Sequence, residues 1–205
     1  MFNLLLIPAL SFAALLSPSG DLHKFEDVTL ASKATATVGD RKHELSAIGE
    51  GLRYKKVVFV KARVYVGQLL SSDAGMVKKD KGQILDSLSS QKAVAMQMTF
   101  LRDVDAKTVE GAFKDSFKEN GVSLDNETIK QFLEAVRSGG EAKNGKTLTI
   151  VGETVNGKEL VSYEGTNGNV VTIEGAAGFR KQIFSLWLGK PTDGGVENLQ
   201  EGLLK

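Results

Sequence analysis

The sequence predicts a single α+β domain in which a large antiparallel β-sheet is covered on one face by helices. Three observations predict this class. Alternating apolar segments come first, two amphipathic helical patterns follow, and short alternating segments joined by tight turns come after them. A strand that alternates between apolar and polar residues buries one face only, and a helix with a single apolar stripe can cover that face.

The first residues differ in character from the rest of the chain. Residues 4–16 are almost wholly apolar, a run shorter than the ~20 residues that span a bilayer, and small or turn-forming residues follow at 17–20. This pattern predicts a signal peptide over residues 1–19, cleaved near Ser19 or Gly20, and a domain over residues 21–205. We therefore expect a periplasmic or secreted protein without a stable membrane span. The alternative is a buried N-terminal helix, but the polar sequence that follows does not continue an amphipathic pattern.

The front of the domain has β character. Residues 25–31 and 34–38 are predicted strands, and residues 52–70 form the clearest β region. Val60 lies on a face of small apolar residues that is expected to meet the core, and Tyr65 lies on the opposite face. A further strand is predicted over residues 93–100.

Two amphipathic helices are predicted next. In the first, the apolar positions with helical spacing are Val109, Ala112, Phe113 and Phe117. Asp105 is its predicted N-cap and Gly121 its predicted end. The second helix covers residues 129–136 and ends at Gly139.

The last third alternates strands, turns and helices. Three strands are predicted, over residues 147–151, 159–163 and 170–173, with a hairpin turn at Asn156-Gly157. A helix over residues 176–188 follows, and further helical turns are predicted near the C-terminus. Trp187 is expected to be an apolar anchor in the core.

Composition excludes several classes of site. The chain has 26 Lys+Arg against 25 Asp+Glu, so it lacks the charge excess typical of nucleic-acid binding. The absence of cysteine excludes disulfides, thiolate metal sites and cysteine nucleophiles. Two histidines, His23 and His43, are too few for a metal site built mainly on imidazole, and both are expected to be exposed. We expect no metal, no cofactor and no nucleic-acid partner.

Short motifs along the chain resemble one family. They are GEGLR at residues 49–53, followed after a short turn by FVKARVYV at 59–66, and FSLWLGKP at 184–191. In this order and spacing they resemble the chalcone isomerase family, and most of all its bacterial secreted branch, over most of residues 25–205. The resemblance implies an open-faced β-sandwich with a cleft between the sheet and the helices. Plant enzymes of the family close a flavanone ring in that cleft, and fatty-acid-binding relatives hold a lipid carboxylate there.

The resemblance also assigns residues to the cleft. It places the family's arginine at Arg53 and the catalytic threonine at Val60, which has no hydroxyl group. The enzymes' Tyr-x-x-Lys-x-x-x-Asn cluster falls on Asp105, Thr108 and Ala112, with only the neighbouring Lys107 to replace the lysine. A small hydroxylated position of the enzymes falls near Lys181. One functional residue of the enzymes is therefore retained, and the donors that would stabilise an enolate are lost.

These residues predict a non-catalytic binder of a small amphipathic carboxylate, such as a fatty acid. Arg53 is the expected anchor, because a guanidinium can hold a carboxylate by two parallel hydrogen bonds. Val60 and Phe113 are expected apolar walls. Tyr65 is a further candidate donor, as a tyrosine is in the fatty-acid-binding relatives, although its predicted strand face argues against this.

Three other functions remain open from the sequence. The first is an isomerase or intramolecular lyase that acts on an unknown substrate, which would need a proton donor or acceptor in the cleft. The second is a structural protein whose cleft is filled by its own side chains. The third, haem binding, is suggested only by analogy to mitochondrial members of the family.

Overall fold

The computed structural model describes residues 14–58 and 60–205. Within them, eight strands form one sheet in chain order, each antiparallel to its neighbours. The strands are β1 Leu16–Phe25, β2 Val28–Val38, β3 Arg41–Val57, β4 Val60–Ser71, β5 Ala93–Phe100, β6 Thr147–Val155, β7 Lys158–Glu164 and β8 Val170–Gly175. The helices are α1 Ile84–Ser89, α2 Ala106–Glu119, α3 Glu127–Ser138, α4 Phe179–Leu188 and α5 Gly194–Leu203, with a 3-10 helix at Ala74–Met76.

The helices cover one face of this sheet, which confirms the predicted fold class. The core between the two layers joins Met96 and Met98 of β5 to Ile150 of β6, and all three are fully buried. Phe132 of α3 and Trp187 of α4 pack onto these strand residues from the helical side. Burial of the apolar stripe of each helix against the sheet is the main favourable term that holds the layers together.

The opposite face of the sheet is partly covered by the chain's own front strands. A second core contains Leu16, Ala36, Leu45, Leu70 and Val151, which come from β1 to β4 and from β6. The sheet therefore curls back on itself, and the start of β3 lies against β6. This arrangement is the open-faced sandwich that was expected.

An ion cluster marks this contact between β3 and β6. Arg41 Nη2 lies 2.6 Å from Glu153 Oε1, and His43 Nε2 lies 2.7 Å from Glu153 Oε2. Burial acts to raise the pKa of Glu153, but the hydrogen bonds from Arg41 and His43 outweigh it and the pKa is lowered. The expectation that His43 is exposed is wrong, because this contact leaves it only 7% exposed. His23 is exposed, as expected, and pairs with Glu50.

The N-terminal strand was not predicted. The predicted strand at 34–38 is part of β2, whereas the predicted strand at 25–31 covers the end of β1, a turn at residues 26–27 and the start of β2. β1 pairs with β2 from Leu16↔Ala36 to Phe25↔Val28. The predicted leader boundary at residue 19 therefore falls inside β1, while residues 1–13 lie outside the described residues. The leader itself stays a prediction. No helix in the described part of the chain is long and apolar enough to cross a bilayer.

The prediction that Val58 and Val60 lie on a strand face that meets the core is wrong, and the predicted β region over residues 52–70 divides into two strands. β3 ends at Val57 and β4 begins at Val60, with a turn at Val58, whose φ of 55° is rare for a β-branched residue. Val58 and Val60 are 74% and 66% exposed, so they do not meet the core. A bulge follows on β4, since Arg53 pairs with Tyr65 but Tyr54 pairs with Arg63.

Glycines allow α5 to lie directly on β3. A Cβ atom on Gly51 would collide with the carbonyl oxygen of Leu199, and one on Gly49 with that of Leu203. A Cβ atom on Gly195, in the first turn of α5, would likewise collide with the carbonyl oxygen of Tyr54. The glycines of the GEGLR motif therefore serve close backbone approach. The contact places the N-terminus of α5 beside the side chain of Arg53.

Candidate functional site

A cavity of about 380 Å³ lies between the sheet and the helices. Its volume is typical of a small-molecule site. Residues of β3, β4 and β5 form one side, α2 and α4 form the other, and the start of α5 closes one end. The walls include Arg53, Lys55, Val64, Tyr65, Met98, Phe100, Arg102, Asp105, Thr108, Ala112, Phe113, Ser116, Leu186, Trp187, Thr192 and Val196.

Arg53 lies at the polar end of this cavity, and its side chain is only 11% exposed. Its Nη1 donates to the carbonyl of Tyr54, and its Nη2 donates to Asp193 Oδ2 at 2.8 Å. Lys55 Nζ lies 3.4 Å from the same carboxylate oxygen. Two cationic side chains of β3 thus share one internal carboxylate.

Asp193 also caps α5. Its Oδ1 accepts from the backbone N–H groups of Gly195 and Val196, at 2.8 and 3.0 Å. Partial burial acts to raise the pKa of Asp193, but the hydrogen bonds from Arg53 and the α5 backbone outweigh it, and the pKa falls to about 2. Asp193 is therefore ionised at neutral pH and balances the charge of Arg53.

Tyr65 places a hydroxyl group near Arg53. Its oxygen accepts from Trp187 Nε1 at 3.2 Å, and among the described residues no acceptor takes its own hydrogen. Burial, partly offset by Arg53, raises the pKa of Tyr65 to about 12, so the hydroxyl keeps its proton at neutral pH. Tyr65 can therefore donate to a ligand while Trp187 holds it in place.

The rest of the wall is largely apolar and aromatic. Phe113 of α2 is 7% exposed, and its ring lies 5.7 Å from that of Trp187 and 6.0 Å from that of Phe132. Phe100 of β5 packs against Tyr65 at 5.4 Å. Such interlocked rings make a rigid wall for an apolar group.

A family model described as chalcone isomerase-like matches residues 23–205. The chain belongs to the chalcone isomerase-like family. Among solved structures, the crystal structure of a fatty-acid binding protein of Arabidopsis thaliana is similar, with a TM-score of 0.63 and 16% sequence identity, over 90% of this chain and 96% of that chain. A search of curated proteins finds no match to the sequence.

Three of the four predicted site residues meet in the cavity of this chalcone isomerase-like protein. They are Arg53, Tyr65 and Phe113. The bulge in β4 explains why Tyr65 reaches the cavity although its predicted strand face was the opposite one. It brings both Val64 and Tyr65 to the helical side of the sheet. The prediction that Val60 is a cavity wall is wrong, because Val60 lies at the exposed hairpin end and does not line the cavity.

The positions matched to the enzymes' helical cluster do face the cavity. Asp105, Thr108 and Ala112 all line it. Asp105 caps α2 and accepts from the backbone N–H of Thr108 at 2.9 Å, so its carboxylate has a structural role. Lys107 and Lys181 do not line the cavity, and Lys181 instead pairs with Asp86.

Sequence reasoning missed Asp193 and the polar role of Trp187. An aspartate followed by two glycines before a helical pattern was an available N-cap signal. Its pairing with Arg53 had no local signal, since the two residues are 140 positions apart. Trp187 is a core anchor, as predicted, and it also donates to Tyr65.

A larger hollow, of about 650 Å³, lies on the opposite face of the sheet. It contains Gln68, Gln97 and Thr99, and none of the predicted site residues lines it. Within residues 14–58 and 60–205, no three His, Asp or Glu side chains lie close enough together to hold a metal ion.

Proposed function

We propose that this protein binds a small amphipathic carboxylate, such as a fatty acid, in the cavity beside Arg53 and does not catalyse a reaction. One observation carries the proposal: Arg53 and Tyr65 lie together at the polar end of a cavity whose other walls are largely apolar. Such a site binds the charged head of an acid at one end and its apolar chain along the walls.

The polar end offers donors that fit a carboxylate. The Tyr65 hydroxyl hydrogen has no acceptor in the described part of the chain, and Arg53 uses only some of its N–H donors. Lys55, which is 62% exposed on its side chain, adds a positive charge at the mouth. Hydrogen bonds to a charged group are about twice as strong as neutral ones.

Asp193 sets a limit on the affinity. A ligand carboxylate at Arg53 lies close to the charge of Asp193, which repels it. The ligand must therefore share the guanidinium with Asp193. We expect binding of medium strength, with most of the free energy of binding supplied by burial of the apolar chain.

The chemistry of the walls supports binding rather than ring closure. Stabilising a developing enolate needs donors preorganised around its oxygen, and the positions of the enzymes' tyrosine, lysine and asparagine hold Asp105, Thr108 and Ala112. Tyr65 has a pKa raised to about 12 by burial, which suits a fixed donor better than a proton-transfer group at neutral pH. The name of the Arabidopsis neighbour supports the choice of a fatty acid as ligand class.

We propose that the protein acts in the cell envelope. The apolar run at residues 4–16 supports export, because such a run is typical of the leader of an exported protein. Fractionation of the cells that make the protein tests this part separately from ligand binding.

The binding test is calorimetric titration of the purified protein with saturated fatty acids of medium and long chain. Arg53→Ala should lower the affinity by about 10–100-fold, while Arg63→Ala, in the next strand and outside this cavity, should leave it unchanged. Arg53→Lys keeps the positive charge but loses the planar guanidinium that can donate two parallel hydrogen bonds. The affinity of this variant should therefore fall by less than that of Arg53→Ala. Circular dichroism checks that each variant is folded. Equal affinity of the Arg53→Ala and unchanged proteins, or formation of flavanone from chalcone, would overturn the proposal.

A further inference from the structure

The connection between β3 and β4 projects beyond the rest of the sheet. The pairing of β2 with β3 ends at Ser46, and the pairing of β5 with β4 begins at Tyr65. Residues 54–57 and 60–63 lie beyond both limits and, within the described sheet, pair only with each other. Together with Val58 they form a two-stranded β3–β4 hairpin whose end extends into solvent.

The end of this hairpin carries exposed apolar side chains. Val58 is 74% exposed and Val60 is 66% exposed. The backbone does not require valine at position 58, because its φ of 55° lies in the left-handed region, which favours glycine and asparagine and strains a β-branched residue. Strain of this kind persists mainly where a residue has a functional role. A strained apolar residue at an exposed tip therefore points to contact with apolar surroundings outside the chain.

Two lysines lie next to this apolar tip without a partner charge. Lys56 and Lys61 are directly opposite each other across the hairpin, and both are exposed. Like charges in directly opposite positions destabilise a strand pair. In the described part of the chain neither lysine forms an ion pair with a carboxylate, and Lys61 Nζ instead lies 4.6 Å from the centre of the Tyr54 ring. An anion bound between the two ammonium groups would relieve their repulsion.

The hairpin and its base carry a surplus of positive charge. Their cationic side chains are Arg53, Lys55, Lys56, Lys61 and Arg63. The carboxylates in contact with them are Glu26, Asp27 and Asp193. Five cations against three carboxylates leave two positive charges, and these lie at the outer end of the hairpin, with Lys56 and Lys61.

Lys55 joins the hairpin to the cavity. It lines the cavity, its side chain is 62% exposed, and it lies three residues before Val58 in the chain. A surface that bound the tip of the hairpin would therefore lie close to the mouth of the cavity.

We propose that the β3–β4 hairpin docks on a lipid bilayer that contains anionic lipids. Val58 and Val60 enter the boundary between headgroups and acyl chains, and Lys56 and Lys61 contact the lipid phosphates. An apolar tip with basic flanks has the two features by which peripheral proteins bind anionic membranes, apolar insertion and electrostatic attraction. A protein partner fits less well, because a stable protein interface buries about 800 Å² on each side and two valines supply far less. The inference goes beyond the proposed ligand and does not depend on it.

The first test follows the tip of the hairpin with a fluorescent label. The chain has no cysteine, so Val58→Cys provides a unique site for a nitrobenzoxadiazole dye in the full-length protein. Vesicles of equal parts phosphatidylcholine and phosphatidylglycerol should shift the dye emission to shorter wavelength and increase it. Met76→Cys, labelled in the same way, is the matched control, because Met76 is 69% exposed and follows the far end of β4. Its emission should not change.

Three outcomes of this experiment overturn the inference. The first is an emission at position 58 that vesicles leave unchanged or change no more than at position 76. The second is an equal change with vesicles of phosphatidylcholine alone, which would exclude a role for lipid charge. The third is a change without vesicles that grows with protein concentration, which would show that a second copy of the chain covers the tip. Fatty-acid titration without vesicles tests the ligand proposal separately.

The second test removes the two lysines. In the protein labelled at position 58, Lys56→Gln combined with Lys61→Gln should raise the lipid concentration at half-maximal signal by about 25-fold, or about fivefold per lysine. Lys130→Gln combined with Lys158→Gln removes the same charge from α3 and β7 and should have little effect. Raising the salt concentration from about 0.1 M to about 1 M should weaken the unchanged hairpin more than the double variant. Equal affinities of the two double variants contradict the proposal.

The third test separates insertion from folding. In a protein labelled through Val60→Cys, Val58→Asn should raise the half-maximal lipid concentration by about tenfold, because a buried apolar side chain is lost. The Tm should not fall, since asparagine adopts the left-handed backbone of this position more readily than valine. Unchanged lipid binding by Val58→Asn would show that the tip does not enter the bilayer.

Discussion

Arg53 and Asp193 face each other at the polar end of the cavity, with Nη2 of the arginine 2.8 Å from Oδ2 of the aspartate. The same aspartate caps α5, and α5 lies on β3 through glycine contacts. The residue that neutralises the ligand anchor is therefore also the one that begins the last helix. Ligand affinity and the docking of α5 are linked through this single carboxylate.

Removing the charge of Asp193 should strengthen ligand binding. Asp193→Asn keeps an effective N-cap for α5 and removes the repulsion of a ligand carboxylate at Arg53. We expect the affinity for a fatty acid to rise by about tenfold, which corresponds to ~1.4 kcal/mol. Calorimetric titration measures it.

Asp105→Asn is the matched control for this change. Asp105 also lines the cavity and caps a helix, but it has no contact with Arg53. Its affinity for the fatty acid should stay close to that of the unchanged protein. A weaker affinity of Asp193→Asn than of Asp105→Asn would show that Asp193 orients Arg53 for the ligand rather than competing with it.

The ion pair between Arg53 and Asp193 should also make the stability of the fold depend on pH in the acid range. The pKa of Asp193 is lowered to about 2 in the folded protein, so the pair stabilises the fold above the ordinary aspartate pKa of about 3.9 and loses this effect as the pH falls towards 2. The Tm of the unchanged protein should exceed that of Asp193→Asn at neutral pH, and the gap should close between about pH 4 and pH 2. A gap that is constant over this range contradicts the assignment.

The hydroxyl group of Tyr65 should contribute to ligand affinity. Tyr65→Phe removes the hydroxyl donor of a residue that lines the cavity, so the affinity should fall by about 10-fold, and the ring should still pack against Phe100. Tyr54→Phe, in the neighbouring strand and outside the cavity, is the matched control. Equal losses in the two variants would exclude a specific role for the Tyr65 hydroxyl.

Filling part of the cavity should shift its preference towards fatty acids of shorter chain length. Ala112 lines the cavity from α2, and Ala112→Leu places a larger side chain in it. We expect a loss of about tenfold for a long-chain fatty acid and a smaller loss for a medium-chain one, measured by titration. Gly111→Ala adds a methyl group to the same helix where nothing lies within 4 Å, and should not change the chain-length preference.

A methyl group at Gly51 should weaken the fold. The added carbon would collide with the carbonyl oxygen of Leu199, so α5 must move away from β3. We expect Gly51→Ala to lower the free energy of unfolding by ~1–3 kcal/mol, measured by urea denaturation. Gly111→Ala should instead raise it by up to ~1 kcal/mol, because alanine favours a helix interior. A neutral Gly51→Ala would show that the close contact is not needed.

Local patterns predicted most of the secondary structure. The alternation over residues 93–100 matches β5, and the predicted N-cap Asp105 begins α2. Both are decided by residues within a few positions of each other, which is why the sequence shows them. The family resemblance implied a short turn between residues 53 and 59, but the residues themselves did not locate it at Val58, because no glycine, proline or asparagine signals it there.

The candidate site was predicted only in part. Arg53 and Phe113 line the cavity, and Val60 does not, since it lies at an exposed hairpin end instead of on a core-facing strand face. The ligand role of Arg53 and Phe113 stays a prediction. Tyr65 was expected on the wrong face. A single bulge reverses the faces of all residues beyond it, and alternation in the sequence does not reveal where a bulge lies.

By itself, the sequence determined the α+β class and the order of strands and helices from β5 onward, and its resemblance to the family implied the loss of the enzymes' helical cluster. Only the tertiary structure decided that Tyr65 joins Arg53, that Asp193 neutralises Arg53, and that the front strands cover the back of the sheet. The physical reason is separation along the chain. Helical and strand periodicity depend on neighbours a few residues apart, whereas these contacts join residues that only the packing of β3, β4 and α5 brings together.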